Sequence, residues 1–216
     1  MEDHFASARL ESYLVECQGI EEKAILLYQW NSELSAAFWE SIGYLEVALR
    51  NRINRQLDFR NQKRGRAEHW IFDDYFELGR DRTIYANHRQ PYLEIDAAIK
   101  RVRRNGKKMN PGQIISEMSF GFWHQMVSKK QLFLWPDLAT GFPNLLSRDQ
   151  GMISELTQSI RTMRNRIGHH HRIWTIDVDR NYSDLLALAG FIDEDLRRWI
   201  SMRSHISEVL AHRPGK

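Results

Sequence analysis

The sequence predicts an all-α protein, and three observations carry that prediction. Apolar residues recur three or four apart over long stretches. Strand-like alternation bounded by turn signals is nearly absent, and helix breakers are few. The 216 residues include only five prolines and twelve glycines, most of them outside the periodic segments. A hydrophobic fraction of 42%, with seven tryptophans, supports a packed core and argues against a disordered chain. No repeat, low-complexity tract or linker divides the chain, so residues 1–216 read as a single helical domain with its core between about 30 and 200.

In chain order, Leu34, Phe38, Ile42, Leu45, Leu49, Ile53 and Leu57 mark a long amphipathic helix. The region around residues 60–110 reads as elaboration. At Asn110 a helix start is expected, with Asn110 as cap, Pro111 in the first turn and Gln113 able to reach back. Ile115, Met118 and Phe122 would then share one face. "PDLATGFPN" (136–144) is a turn-rich connection. Ile153, Leu156, Ile160, Met163 and Ile167 keep helical spacing without a miss. Finally Leu185, Leu188, Ile192, Leu196 and Trp199 predict one last helix, with Gly190 as its weak point.

Composition narrows the function classes. The single cysteine, Cys17, excludes an intramolecular disulfide framework and a cysteine-based zinc knuckle. The opening "MEDHFASARL" has no secretory pattern, and no window approaches about 18 uninterrupted apolar residues. A soluble cytoplasmic protein without membrane contact is expected. The net charge is only +3, but it is unevenly spread. Arg60, Lys63, Arg64 and Arg66 form one basic cluster, and Lys100, Arg101, Arg103, Arg104, Lys107 and Lys108 form another. Both are candidates for sequence-independent phosphate contact with RNA, or else are solvated loops.

The most informative stretch is "RTMRNRIGHHHRIW" (161–174). With Ile160 centred on the apolar face, Ile153, Leu156, Met163 and Ile167 fall within about 60° of it at 100° per residue. Arg164 falls about 40° away, inside the apolar sector, whereas Arg161 and Arg166 fall well outside. A guanidinium at that position must be paired, or must face a cleft or a partner subunit. For His169 to come back over Arg164 the helix has to break, and Gly168 is the expected place. A convergent pair has a defined chemistry. Histidine exchanges protons near neutral pH, and arginine stabilises charge developing on a phosphorane. Asn165 would orient either group. Consecutive histidines splay about 100° apart on a helix, which disfavours a three-histidine metal site. A solvated helix end rich in cations, satisfying the helix dipole, remains the alternative.

"RNRIGHHHRIW" resembles the signature of the HEPN superfamily, an arginine followed by a polar residue and, four to six positions on, a histidine. Here these are Arg164, Asn165 and His169. More narrowly, the chain resembles the Abi-like branch associated with bacterial abortive phage infection. The segments "WNSELSAAFWESIGYLEVALRNRI", "SEMSFGFWHQM" and "YSDLLALAGFIDEDLRRWI" support this in the expected order. The resemblance implies a HEPN-type helical bundle acting as a metal-independent, cofactor-free endoribonuclease. It also implies a homodimer that brings two Arg–His motifs into a composite site, and in some relatives an antitoxin partner. Arg164 and His169 are then catalytic, with His170 supporting. Gly168, where relatives often have alanine, and His171, where an acidic or small residue is common, depart from the pattern.

Glu46 and Arg50 stand four apart, in the order that favours a helix-surface ion pair. Alternatively, Glu46 reaches across to orient Arg164. Asn51 is a weaker candidate on the same helix. Gly121 is expected to permit close helix packing, and Trp123 to lie in the core. His124 beside it is a candidate for contact with a base.

Overall fold

The computed structural model describes residues 7–83 and 87–214. Its described residues are helical and form no strand, as expected. A short helix α1 (Ser7–Glu16) folds back on α2 (Glu21–Lys63), the spine of the molecule. At 43 residues α2 extends about 65 Å. It is longer at both ends than the apolar run from Leu34 to Leu57 indicates. Leu34, Phe38, Leu45 and Leu49 are fully buried along it.

The described residues between 64 and 91 form no long helix, and those at 70–80 are anchored firmly. Trp70 and Ile71, in a 3-10 turn, enter the core, and Trp70 Nε1 donates to Asn54 Oδ1 at 2.8 Å. Asp73 is buried and accepts the backbone N–H groups of Glu77, Leu78 and Arg80, which organises the loop between them. Next come α3 (Tyr92–Arg104) and α4 (Pro111–Ser116). Asn110 does cap α4, accepting the Gln113 N–H at 2.9 Å. The helix, however, stops at Ser116. Ser119 caps a separate α5 (Phe120–Met126), its hydroxyl accepting the Phe122 N–H. Ile115, Met118 and Phe122 are all buried even so.

The turn-rich segment at 136–144 is not an open loop. It holds α6 (Trp135–Leu138) and a 3-10 turn, with Leu138 and Phe142 buried. Helix α7 (Gln150–Gly168) is capped by Asp149, which accepts the Gly151 N–H at 2.8 Å. It packs on α2, α5 and α8 (Val178–Ile192). The last periodic stretch is two helices. The break falls at Asp193, in extended conformation, whose carboxylate caps α9 (Glu194–Arg203) by accepting the Asp195 and Leu196 N–H groups. Gly190 stays inside α8, and Trp199 ends up 44% exposed against Tyr44. Last, α10 (Ile206–Ala211) returns to α2, where Trp30 Nε1 donates to the Val209 carbonyl at 2.7 Å.

Candidate functional site

The C-terminal end of α7 lies against the middle of α2. Ile160, Met163 and Ile167 are buried in the seam, and this fixes the rotation of α7. Arg164 is consequently held at the edge of the apolar face, half-buried. Its guanidinium lies over the Trp39 ring, 5.1 Å from the centroid, an attraction between cation and ring quadrupole. Its Nε is buried and makes no hydrogen bond.

Across the seam, Glu46 sits among charges rather than in a surface ion pair. Burial raises its carboxyl above the ordinary value, while Arg164 and, less strongly, Arg50 pull it down. No direct ion pair links these three side chains. Arg50 Nε is also buried without a partner. Glu46, Arg50, Arg164 and Trp39 thus form one polar–aromatic patch on the α2–α7 seam, with donors left to offer.

The histidines are arranged differently from the expectation. Gly168 remains helical, and His169 is the cap residue with φ −99°. The chain turns at His170, in the left-handed conformation with φ 54°. His170 N–H bonds to the Ile167 carbonyl at 2.9 Å and His171 N–H to the Arg166 carbonyl at 2.8 Å, the Schellman pattern of a helix end. His169 lies five residues past Arg164 and so projects about 140° around the axis from it. Its ring neighbours His171, with centroids 5.8 Å apart, and makes no contact with Arg164. All three histidines are exposed, as is Asn165. Asn165 contributes its carbonyl to the His169 N–H at 3.0 Å.

Between the histidine turn and α2 lies a groove of about 500 Å³, bordered by Tyr28, Ser35, Trp39, Glu40, Gly168 and His170. Two residues that hold this end of the molecule together were not foreseen. Arg166, which falls outside the apolar sector of α7, donates to the Arg172 carbonyl and to Thr175 Oγ1 at 3.0 Å. Asn31, 5% exposed, accepts the Ile173 N–H at 2.9 Å. Its signal in the sequence is a polar residue inside the apolar spacing Leu27–Asn31–Leu34. For Arg166 and Trp39 the sequence carries no comparable signal, because each acts on a partner distant in the chain or across a helix seam.

The two basic clusters are partly neutralised internally, six of their ten cations being ion-paired. Arg60 is 4% exposed and bonded to Glu77 and Asp137, so it is not available to a polyanion. Arg64 at 2.9 Å and Arg66 at 2.7 Å also converge on Glu77, and its hydrogen bonds from Arg66 and Arg60 hold its carboxyl down at about 2. In the second cluster Lys100 pairs with Asp96, and Arg101 and Lys107 pair with Glu117. Lys63, Arg103, Arg104 and Lys108 remain exposed and form no ion pair among the described residues. Trp123 is fully buried. The missing side chain of Gly121 makes room for Arg161, whose Nε would stand 3.4 Å from a β-carbon there.

Among the described residues no three His, Cys, Asp or Glu side chains cluster as metal ligands do. Among the described residues no helix is long and apolar enough to cross a membrane. No curated protein and no solved structure gives a significant match. The family model described as "Abi-like protein" matches residues 7–175. That span takes in α1 through α7, the whole α2–α7 seam and the histidine turn, so the chain belongs to the Abi-like protein family.

Proposed function

We propose that this protein is an endoribonuclease of the HEPN type, acting in abortive infection or a related phage-defence role without need of a metal ion. Membership of the Abi-like family supports the defence role. One observation carries the chemical reading. Arg164 is held half-buried over Trp39 with an unengaged Nε, on a helix whose next turn ends in three exposed imidazoles. A guanidinium restrained in this way is ready to meet the charge that develops on a phosphorane. His169 is solvent-accessible, and an imidazole is a side chain suited to general acid–base transfer.

In the reaction, His169 takes the proton of a ribose 2′-hydroxyl. The 2′-oxygen attacks the adjacent phosphorus, and the bond to the 5′-oxygen breaks. A second imidazole returns a proton to that oxygen. The products are a 2′,3′-cyclic phosphate and a 5′-hydroxyl. Arg164 bears on the equatorial oxygens, and Glu46, beside it, orients the guanidinium. Asn165 and His170 flank the substrate, while Arg50 supplies further positive charge.

Because Arg164 and His169 project apart within one chain, the reading includes a homodimer. The Arg164 of one copy then works with the His169 of the other. The unpaired Lys63, Arg103, Arg104 and Lys108 extend contact to RNA phosphates, and an antitoxin covering the groove would hold the enzyme silent. The same wide separation of Arg164 and His169 favours one second reading, an RNA-binding member of the family without catalysis.

The test is RNA cleavage in EDTA by the wild type and by His169→Ala, with the 3′ ends of the products characterised. Cleavage by wild type alone, leaving cyclic phosphate, is expected. Equal cleavage by both proteins removes His169 from the mechanism. Binding without cleavage by either favours the second reading.

A further inference from the structure

A second groove, distinct from the one beside Trp39, runs between α5 and α7, with a volume of about 560 Å³. It is of ligand size. Gly121 and Gly151 line it, and around them stand His124, Lys129, Lys130 and Arg161. The contrast with the two basic clusters of the sequence is chemical. There six of the ten cations are bound to Glu77, Asp96 or Glu117. Here Lys129 and Lys130 are exposed, and neither they nor Arg161 pair with a carboxylate among the described residues. Two carboxylates, Glu94 and Glu155, also border the groove. Glu94 accepts a hydrogen bond from Ser119 Oγ at 3.4 Å, and Glu155 stands exposed.

The position of Arg161 is set by the fold. Because residue 121 is glycine, the Arg161 side chain lies down across α5 beside Ser119. Its charge therefore faces the groove and reaches His124, whose imidazole is pushed below its ordinary value by burial and, less strongly, by Arg161. A neutral imidazole both donates and accepts hydrogen bonds. Arg161, bordering the groove, also stands on the same helix as the motif. Arg161, Asn165 and His169 succeed one another four residues apart, so they share one side of α7. About 12 Å of helix separates Arg161 from His169.

We propose that the α5–α7 groove is the track by which a single strand of RNA reaches the histidine turn, with Arg161, Lys129 and Lys130 holding its phosphates and His124 and Gln125 meeting ribose or base edges. This rests on the endoribonuclease reading and names its substrate as unpaired RNA. A basic groove with hydrogen-bonding walls follows the backbone of one strand, whereas a duplex is read across a broad minor groove.

The experiment measures binding of a fluorescein-labelled, unstructured RNA of fifteen nucleotides, with fluorine in place of each 2′-hydroxyl so that it cannot be cleaved, in EDTA across a salt series. It compares wild type, Lys129→Gln/Lys130→Gln/Arg161→Gln, and a charge-matched control, Lys23→Gln/Arg180→Gln/Arg203→Gln, altered at exposed cations on α2, α8 and α9. The groove variant should lose about tenfold in affinity or more, and its slope against log salt should fall by about 2, at about 0.7 for each phosphate that is no longer neutralised. The control should bind within about twofold of wild type. Lys129→Gln/Lys130→Gln, which alters only exposed residues, should show about two-thirds of the same fall in slope, so a misfolded triple variant does not decide the matter. Equal losses in groove variant and control overturn the track, since affinity would then follow net charge alone. A duplex of the same sequence binding as tightly as the single strand overturns it too, as does an acidic peptide displacing the RNA at equal concentration. RNA bound equally by wild type and groove variants rejects the track and leaves the endoribonuclease reading standing. No RNA bound by wild type rejects both.

Discussion

His170 holds the left-handed position at the end of α7, with φ 54°. Among the described residues four helices close with the same pair of backbone hydrogen bonds, and two of them place glycine there, Gly65 and Gly106. The other two use Gln18 and His170. A side chain in this conformation costs about 1 kcal/mol relative to glycine. His170 is exposed and makes no side-chain contact that offsets this cost, while it borders the groove beside Trp39. Local strain at a site is a pointer to function. His170→Gly is therefore expected to raise stability by roughly 0.5–1 kcal/mol, a little less than the full relief because glycine also gains freedom in the unfolded chain. Urea denaturation reads this directly. The same variant should bind or cleave RNA less well, and a loss of stability would show that the imidazole supports the turn instead. At this scale the sequence was partly legible. The angular position of Arg164 follows from helical spacing alone. The turn, though, sits two residues later than Gly168, because hydrogen bonds from His170 and His171 close the helix and the glycine is not required for it.

Among elements, long helices were legible, while of the short ones only the start of α4 at Asn110 was. Helices α2 and α7 show their period over many turns, and burial of one face decides them. The breaks between α4 and α5, and between α8 and α9, turn on single caps at Ser119 and Asp193. These residues satisfy backbone N–H groups inside runs whose apolar spacing continues almost undisturbed. Helices α1 and α10 are short and held by their packing on α2, which propensity alone does not foresee. The end of α2 shows how a cluster that looks like a nucleic-acid patch can be architecture. Arg60, Arg64 and Arg66 gather on Glu77 because the loop after α2 must be fastened back onto it. The sign of the consequence follows from the folded value. The Glu77 carboxyl is lowered from 4.5 to about 2, so its contribution is fully present above about pH 4.5 and is lost as pH falls toward 2. The shift corresponds to at most roughly 3 kcal/mol, and solvent screening at this part-exposed carboxylate reduces it to about 1–2 kcal/mol. Glu77→Gln is expected to destabilise the protein by about that amount at neutral pH, since Arg60 would stay buried with Asp137 alone. It should also flatten the stability profile between about pH 4.5 and 2. Thermal melts of both proteins across that window check it, and parallel profiles would remove Glu77 as the acid-sensitive link.

For the whole molecule, α2 is the member to which the rest is referred. Asn31 fixes the chain after the histidine turn, Trp30 fixes α10, and Trp39 and Glu46 meet Arg164. One chain therefore presents Arg164 and His169 at defined places but on different sides of α7. A proton-transfer group and a phosphate-stabilising group must both lie within bonding reach of one phosphodiester. If two copies share the work, a two-fold axis supplies each site with Arg164 from one chain and His169 from the other, twice per dimer. This arrangement has an arithmetic consequence. Arg164→Ala and His169→Ala proteins, each inactive alone, form mixed dimers in which one of the two sites receives both wild-type groups. After unfolding and refolding together in equal amounts, half of the dimers are mixed and each keeps one site, so about a quarter of wild-type cleavage should return. Recovery near that fraction places the two residues in different chains of one site. Cleavage no greater than that of the separate variants, with mixed dimers verified by differently tagged chains, means that both groups of a site come from one chain. In that case the end of α7 would have to rearrange on binding RNA.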